Sequence, residues 1–353
     1  MIPELGVVEG YFGKPWSHED RLRVVGRLRG LGFSWFHYAP KTDAFLRRRW
    51  REPYPPAACA ELAELSACCR SAGLRFGVGL SPYELYRDFS GAAKTDFLAK
   101  VRALDDIGLD DLAILFDDTR GDVPDLAARE AEIVHAALAV TRAERVVMCP
   151  TYYSHDRMLD VVFGRRPDRY LRDLGRRLEP RIGVYWTGEE ICSREFRAGH
   201  LEEVADALGR KPILWDNYPV NDGPRMSRFL HLRGYTGRAR EIAACVSAHA
   251  INPALQPHLT LVPAATLAAC YRDGASYRYM RAFRQAARAL AGEALASMLE
   301  EDLHAFQDLG IDRLGEDRER LRLRYRAVDH PMAVEIVHWL DGGYTVDNWD
   351  EGA

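Results

Sequence analysis

Leu112-Ala113-Ile114-Leu115-Phe116-Asp117-Asp118 is an unbroken apolar run that stops at two adjacent carboxylates. Apolar residues without polar alternation read as a strand covered on both faces, the pattern of a buried parallel sheet. The carboxylates arrive where that strand must end. Burying one is costly and burying two neighbours more so, so one of the pair is expected to keep its proton to higher pH than an isolated Asp, which makes a general acid from an ordinary side chain. Asp-Asp recurs at Asp105-Asp106 and Asp110-Asp111, where a neighbouring Gly suits a solvated helix end or turn. Only the third pair closes a buried strand.

Outward from this strand, the same strand-then-helix unit recurs on both sides. Towards the N-terminus, strands are expected at 5–9, 33–38 and 74–80, with helices at about 57–72 and 94–104. A further helix begins at Ser17 as its cap, carries Leu22, Val25 and Leu28 at helical spacing, and is expected to stop at Gly30. Towards the C-terminus, helices are expected at 126–140, 170–178, 201–208, 238–245 and 264–271. Strands are expected at 145–149, 182–186, 212–215 and 246–251. Eight such units in about 270 residues predict a (β/α)8 TIM barrel rather than an open sheet. The domain reading is a catalytic barrel over 1–274 and a C-terminal helical region over 275–353. In that second part, helices are expected at 277–303, 316–328 and 332–340. The apolar stripe of 277–303 needs cover from the barrel or a second subunit; read as exposed on one chain, it suggests a homodimer through the C-terminal helices.

With 353 residues, 47% hydrophobic and 28% charged, and a net charge of −4, the composition is that of a folded protein without affinity for polyanions, so nucleic acid is disfavoured. Met1 to Gly6 lacks a basic segment followed by an apolar one, and no apolar stretch reaches the length of a membrane span. A cytoplasmic protein without membrane contact is expected. The seven cysteines are odd in number and scattered through apolar segments, which suits buried thiols better than a disulfide framework. None has zinc-like spacing to another Cys or His. No metal and no cofactor are expected.

A barrel of this kind carries its chemistry at the C-terminal ends of its strands. Those ends read Glu9-Gly10-Tyr11-Phe12-Gly13, Tyr38-Ala39-Pro40-Lys41, Asp117-Asp118, Pro150-Thr151-Tyr152-Tyr153, Trp186-Thr187-Gly188, Trp215-Asp216-Asn217 with Asn221-Asp222, and Asn252-Pro253. Aromatics and hydrogen-bonding groups dominate, and Lys41 is the one cation among them. That set suits an uncharged, hydroxyl-rich ligand such as a sugar; a phosphorylated one calls for more Arg or Lys, or a Gly-rich cradle. Trp186 and Trp215 fit a core role equally, Lys41 fits a structural ion pair, and Asp216 fits the barrel wall.

Gly6-Val7-Val8-Glu9-Gly10-Tyr11-Phe12-Gly13-Lys14-Pro15-Trp16, Tyr38-Ala39-Pro40-Lys41, Arg49-Trp50-Arg51-Glu52-Pro53-Tyr54-Pro55, Leu115-Phe116-Asp117-Asp118, Cys149-Pro150-Thr151, Trp186-Thr187-Gly188 and Leu214-Trp215-Asp216-Asn217 occur in this order. Together they resemble glycoside hydrolase family 84, the O-GlcNAcases and bacterial β-N-acetylglucosaminidases, from Gly6 to about Tyr271. The resemblance implies retaining hydrolysis of an N-acetylglucosamine-containing glycoside or glycoprotein, assisted by the substrate's own 2-acetamido group through an oxazoline. It implies Asp117 on the acetamido N–H and Asp118 as acid and then base. Tyr153 would bond at the oxazoline, Trp215 would wall the acetamido methyl, and Asn217 would support that pocket. Asp222 would bind the sugar hydroxyls, with Gly10, Lys41 and Asn252 completing the contacts. The chain departs from the family at Tyr152, where Glu is common, and at Tyr11-Phe12, where Phe-Tyr is common. Two other readings stay open at this stage. One is a two-carboxylate retaining glycosidase with Asp117 as covalent nucleophile, which would need a bulge at Phe116 or Asp117 because neighbouring strand residues face opposite ways. The other is a non-catalytic N-acetylglucosamine-binding barrel.

Overall fold

Eight parallel strands close into a barrel in chain order. The computed structural model describes residues 2–117 and 119–347. The strands are β1 (Glu4–Glu9), β2 (Phe33–Tyr38), β3 (Arg75–Leu80), β4 (Asp111–Leu115), β5 (Arg145–Cys149), β6 (Gly183–Trp186), β7 (Ile213–Asp216) and β8 (Ala248–Ile251). The helices of the first half are α1 (His18–Leu28), α2 (Pro56–Ser71), α3 (Gly91–Asp105) and α4 (Leu126–Leu138). Then come α5 (Met158–Phe163), α6 (Tyr170–Arg177), α7 (Ala198–Leu208), α8 (Gly223–Met226) and α9 (Pro257–Asp273). After the barrel follow α10 (Tyr279–Glu301), α11 (Asp317–Arg326) and α12 (Pro331–Leu340). Among the described residues, no helix is long and apolar enough to cross a membrane.

Two apolar clusters divide the core, and the two-residue period of the strands decides which side chain joins which. Val8, Trp35, Ala39, Ala113, Leu115, Val147, Cys149, Tyr185, Trp215, Ala248 and Ala250 fill the barrel interior. Val7, Phe36, Phe76, Val78, Leu112, Ile114, Val146, Met148, Val184, Leu214 and Ile251 face the helices. The interior is polar lower down. There His37 Nε2 lies 3.0 Å from Asp111 Oδ2, and its Nδ1 lies 2.6 Å from the Tyr185 hydroxyl on the far wall.

Three expectations need correction. The first helix passes Gly30: α1 runs into a 3-10 turn over Arg29–Leu31, and Gly32, at φ 94°, ends it with its N–H on the Arg29 carbonyl at 3.0 Å. Only a residue without Cβ takes that left-handed conformation at no steric cost. The helix expected at 238–245 is a 3-10 turn, Arg240–Ala244, because Arg238 is drawn into the wall to reach Asp216 and Ala239 is extended. Finally, the stripe on 277–303 is covered within the chain. Phe283, Ala286 and Ala287, then Leu295, Ala296 and Leu299 beyond a break at Gly292 (φ 78°), are buried in the same cluster as the outer barrel layer. The surface reason for a homodimer through that stripe is thereby removed.

The C-terminal helices also reach the rim of the barrel. Glu335 on α12 accepts the His258 and Leu259 N–H groups in the first turn of α9, at 2.7 and 2.8 Å. Burial pushes its carboxyl up to about 8 against the pull of these two bonds. Trp339 Nε1 donates to the Ser227 carbonyl at 3.1 Å, and the Val346 N–H donates to Ser227 Oγ at 3.1 Å. Ser227 follows α8, which starts directly after Asp222. Trp339 is fully buried, so Trp339→Ala should cost about 3–5 kcal/mol in urea unfolding. A loss under about 1 kcal/mol would mean that α10 to α12 are loosely attached to the barrel.

Candidate active site

The interior rows of the strands run past their last ladder pairs and supply the floor of the barrel mouth. Counting in twos, Val8 leads to Gly10, Ala39 to Lys41, Leu115 to Asp117, Trp215 to Asn217 and Ala250 to Asn252. Lys41 Nζ and Asp117 Oδ2 lie 2.5 Å apart, both groups largely buried. The pairing between β4 and β5 holds its register to Leu115 and Cys149, and the Phe116 N–H still bonds the Cys149 carbonyl at 2.9 Å. Asp117 therefore follows a regular strand, and no bulge turns it. Asp118 lies outside the described residues.

A second chain of bonds crosses the mouth. The Gly10 N–H donates to Asn252 Oδ1 at 3.3 Å, Asn252 Nδ2 to Asn217 Oδ1 at 3.0 Å, and Asn217 Nδ2 to the Ile191 carbonyl at 2.8 Å. These amides are oriented by one another, across β1, β7 and β8. Trp215 lies edge-on to Tyr185, with centroids 5.1 Å apart, and a Cβ on Gly10 would run into its indole ring. Glycine here is a matter of space. Asp222 accepts the Phe12 N–H at 2.8 Å, which ties the loop after β7 to the loop after β1. Tyr153 packs against the interior cluster, and its carbonyl accepts the Thr187 N–H at 2.9 Å.

The alternate rows face the helices and settle what the sequence left open. Asp216 points into the wall, where Arg238 grips it with two bonds of 2.6 and 2.8 Å and His249 approaches to 3.0 Å. Burial works to raise its pKa, but the Arg238 guanidinium and His249 outweigh it and hold the carboxyl below its ordinary range. Glu9 is likewise in the wall, paired to Arg21 at 2.7 and 2.8 Å. Trp186 is a wall residue as well, its Nε1 on His200 Nε2 at 3.0 Å.

Two residues near the mouth went unread in the sequence. Arg47 is buried with its guanidinium 5.3 Å from the Phe12 ring and 6.0 Å from that of Tyr83; an Arg among three in a polar loop gives no signal. Glu130 is fully buried on α4. Its signal was legible, since it shares the spacing of Leu126, Ala127, Ile133 and Val134. Among the described residues no three His, Cys, Asp or Glu side chains gather to hold a metal ion.

Residues 5–308 match the family model described as beta-N-acetylglucosaminidase. The chain belongs to that β-N-acetylglucosaminidase family. Curated relatives of the family include the protein O-GlcNAcases of Rattus norvegicus and Mus musculus, each 31% identical over 281 residues. That match covers 76% of this chain but only 30% of each relative, so the chain spans less than a third of their length. An O-GlcNAc hydrolase mutant from Thermobaculum terrenum has a TM-score of 0.79 at 28% identity, over 96% of this chain and 80% of that one. A structure named CpGH84B has the same fold, with a TM-score of 0.75 at 23% identity, over 96% and 66% of the two chains.

The wall pair beneath Trp215 and Asn217 has a measurable signature. Arg238→Met would leave Asp216 charged in a dry wall and should cost about 3–5 kcal/mol. Because the folded-state pKa of Asp216 is depressed, its stabilisation is present above the unfolded carboxylate pKa and is lost as pH falls through the folded value. Urea unfolding against pH should therefore show a shallower acid-side loss in Arg238→Met than in the wild type. Parallel curves would contradict the assignment.

Proposed function

We propose that the chain is a retaining exo-β-N-acetylglucosaminidase, O-GlcNAcase-like, that works through the substrate's 2-acetamido group. The observation that carries this reading is Asp117, inward at the end of β4 with the Lys41 ammonium against it. A carboxylate so compensated suits a hydrogen-bond acceptor for the acetamido N–H. As Asp117 takes up the acetamido N–H proton, the acetamido oxygen attacks the anomeric carbon, the glycosidic bond breaks and an oxazoline forms, and Asp117 returns the proton when the ring reopens; substrate assistance is an exception to the usual two-carboxylate scheme. Asp118 is assigned the proton: it protonates the leaving oxygen, then takes a proton from the water that opens the oxazoline with retained configuration.

Trp215 is assigned to the acetamido methyl, Asn217 to the pocket around it, and Tyr153 to the oxazoline. Asp222, Gly10, Lys41 and Asn252 are assigned to sugar hydroxyls and their supports. The bonded row Gly10–Asn252–Asn217 favours these roles, since amides locked by neighbours meet a ligand with little further loss of entropy. N-acetylglucosamine-bearing glycosides or glycoproteins are the proposed substrates. Cytoplasmic action is supported by the cysteines, which form no disulfide among the described residues. Pairing of two copies through the C-terminal helices would draw on Tyr279, Leu323 and Val334, the exposed large apolar side chains of α10, α11 and α12.

Rates on aryl glycosides with mono-, di- and trifluoroacetyl groups test the mechanism. They should fall steeply as fluorine withdraws electrons from the attacking oxygen; a flat series would favour Asp117 as a covalent nucleophile. Binding of N-acetylglucosamine with no turnover of any aryl glycoside would favour a lectin-like role instead. General-acid help contributes about 10²–10⁴-fold where the leaving group needs it. Asp118→Asn should accordingly lose far more rate on an alkyl glycoside than on a nitrophenyl one, and equal losses would remove Asp118 as the acid.

A further inference from the structure

Behind the turn that carries Asp117 lies a carboxyl with no part in the proposed chemistry. Glu130 Oε1 receives the Thr151 N–H at 3.1 Å and lies 2.6 Å from Thr151 Oγ1; Oε2 receives the Tyr170 hydroxyl. Thr151 Oγ1 is 2.8 Å from Thr119 Oγ1, which is in turn 2.8 Å from the Phe116 carbonyl oxygen. That carbonyl also accepts the Thr119 N–H at 3.2 Å. Phe116 is the residue directly before Asp117.

The protons in this row can be counted. Glu130 Oε1, Thr151 Oγ1, Thr119 Oγ1 and the Phe116 oxygen make three contacts of 2.6 to 2.8 Å. Each contact needs a hydrogen, because two oxygens this close without one repel. A hydroxyl has one to give and a carbonyl none, so the two threonines are one proton short. A neutral Glu130 supplies it: its O–H donates to Thr151, Thr151 to Thr119, and Thr119 to Phe116. An ionised Glu130 can only accept, so the Thr151 O–H donates to it, and Thr119 must then abandon either Thr151 or the carbonyl.

We propose that Glu130 is a positioning residue whose carboxyl proton completes this chain, so that the turn bearing Asp117 is held in its working geometry while Glu130 is neutral and loosens when it ionises. This rests on the proposed role of Asp117. The surroundings of Glu130 agree with a neutral acid. The ionisable groups facing it are the phenols of Tyr170 on α6 and Tyr152 after β5, both pushed up by burial and so uncharged. Arg129, next to it on α4, turns away to the carbonyls of Tyr86 and Arg87, and Arg166 lies over the Tyr152 ring. Lys94 of α3 approaches Glu132 on the exposed side of α4. Burial therefore dominates, and it pushes the Glu130 carboxyl up to about 7 despite the bonds from Thr151 and Tyr170. Glu130 ionises as pH rises through that value, and the loss of activity falls on the alkaline side.

Glu130→Gln tests this, because an amide donates to Thr151 and accepts from Tyr170 at every pH, although its nitrogen cannot accept the Thr151 N–H. The measurement is kcat/KM against pH, from 5 to 9, on a nitrophenyl β-N-acetylglucosaminide. The wild type should lose activity as Glu130 ionises, and the glutamine variant should hold its activity to higher pH by at least about one unit. Thr119→Val, which cuts the chain beyond Glu130, should lower kcat on the order of tenfold at pH 6, and Thr119→Ser should restore it. Superimposable profiles for wild type and Glu130→Gln, or a Thr119→Val with normal kcat, would overturn the inference alone. No turnover by the wild type would fail the proposed function, and this inference with it.

Discussion

Residues two apart on a strand face the same way, and in a closed parallel barrel that alternation decides which side chains meet in the mouth. The interior rows end in Gly10, Lys41, Asp117, Asn217 and Asn252; the alternate rows end in Glu9, Phe116 and Asp216. A slip of one residue in any strand would exchange a site residue for a wall residue. Asp216 and Asn217 are neighbours in sequence with opposite fates for this reason alone. One is locked in a dry salt bridge, and the other faces the mouth.

The wall holds the rows in place. Glu9 with Arg21 and Asp216 with Arg238 put ion pairs behind β1 and β7. A buried pair of this kind adds little net stability against an apolar alternative, but losing one partner is severe because the other charge is stranded. A third brace comes from outside the barrel: Trp339 and Val346 bond Ser227, one short helix away from Asp222, and Asp222 in turn bonds the backbone after β1. The C-terminal helices thus bear on the loops around the barrel mouth, although residues after 308 lie beyond the family match.

Much of this was legible in the sequence, because period and punctuation are local signals. Buried runs marked all eight strands, and reading the short stretches that follow them brought up Gly10, Lys41, Asp117, Asn217 and Asn252. What escaped depends on partners distant in sequence. Arg238 reads as the start of a helix until Asp216, 22 residues before it, claims its guanidinium. The stripe on α10 reads as exposed until α9 is known to cover it. Glu130 was visible as a charge on an apolar helical face, but its meaning needed Thr151 and Thr119, which approach it only when the barrel closes.

The central claim is that Asp117 serves the substrate's acetamido group and not the anomeric carbon. Its most direct test compares two dissociation constants, for N-acetylglucosamine and for a thiazoline fused to the same sugar ring, in the wild type and in Asp117→Asn. Mimics of a transition state or intermediate gain from contacts that the ground state lacks, typically 10²-fold or more. The account predicts that Asp117→Asn weakens thiazoline binding by at least about 10²-fold while sugar binding changes far less. An equal loss for both ligands, or none for the thiazoline, would contradict it.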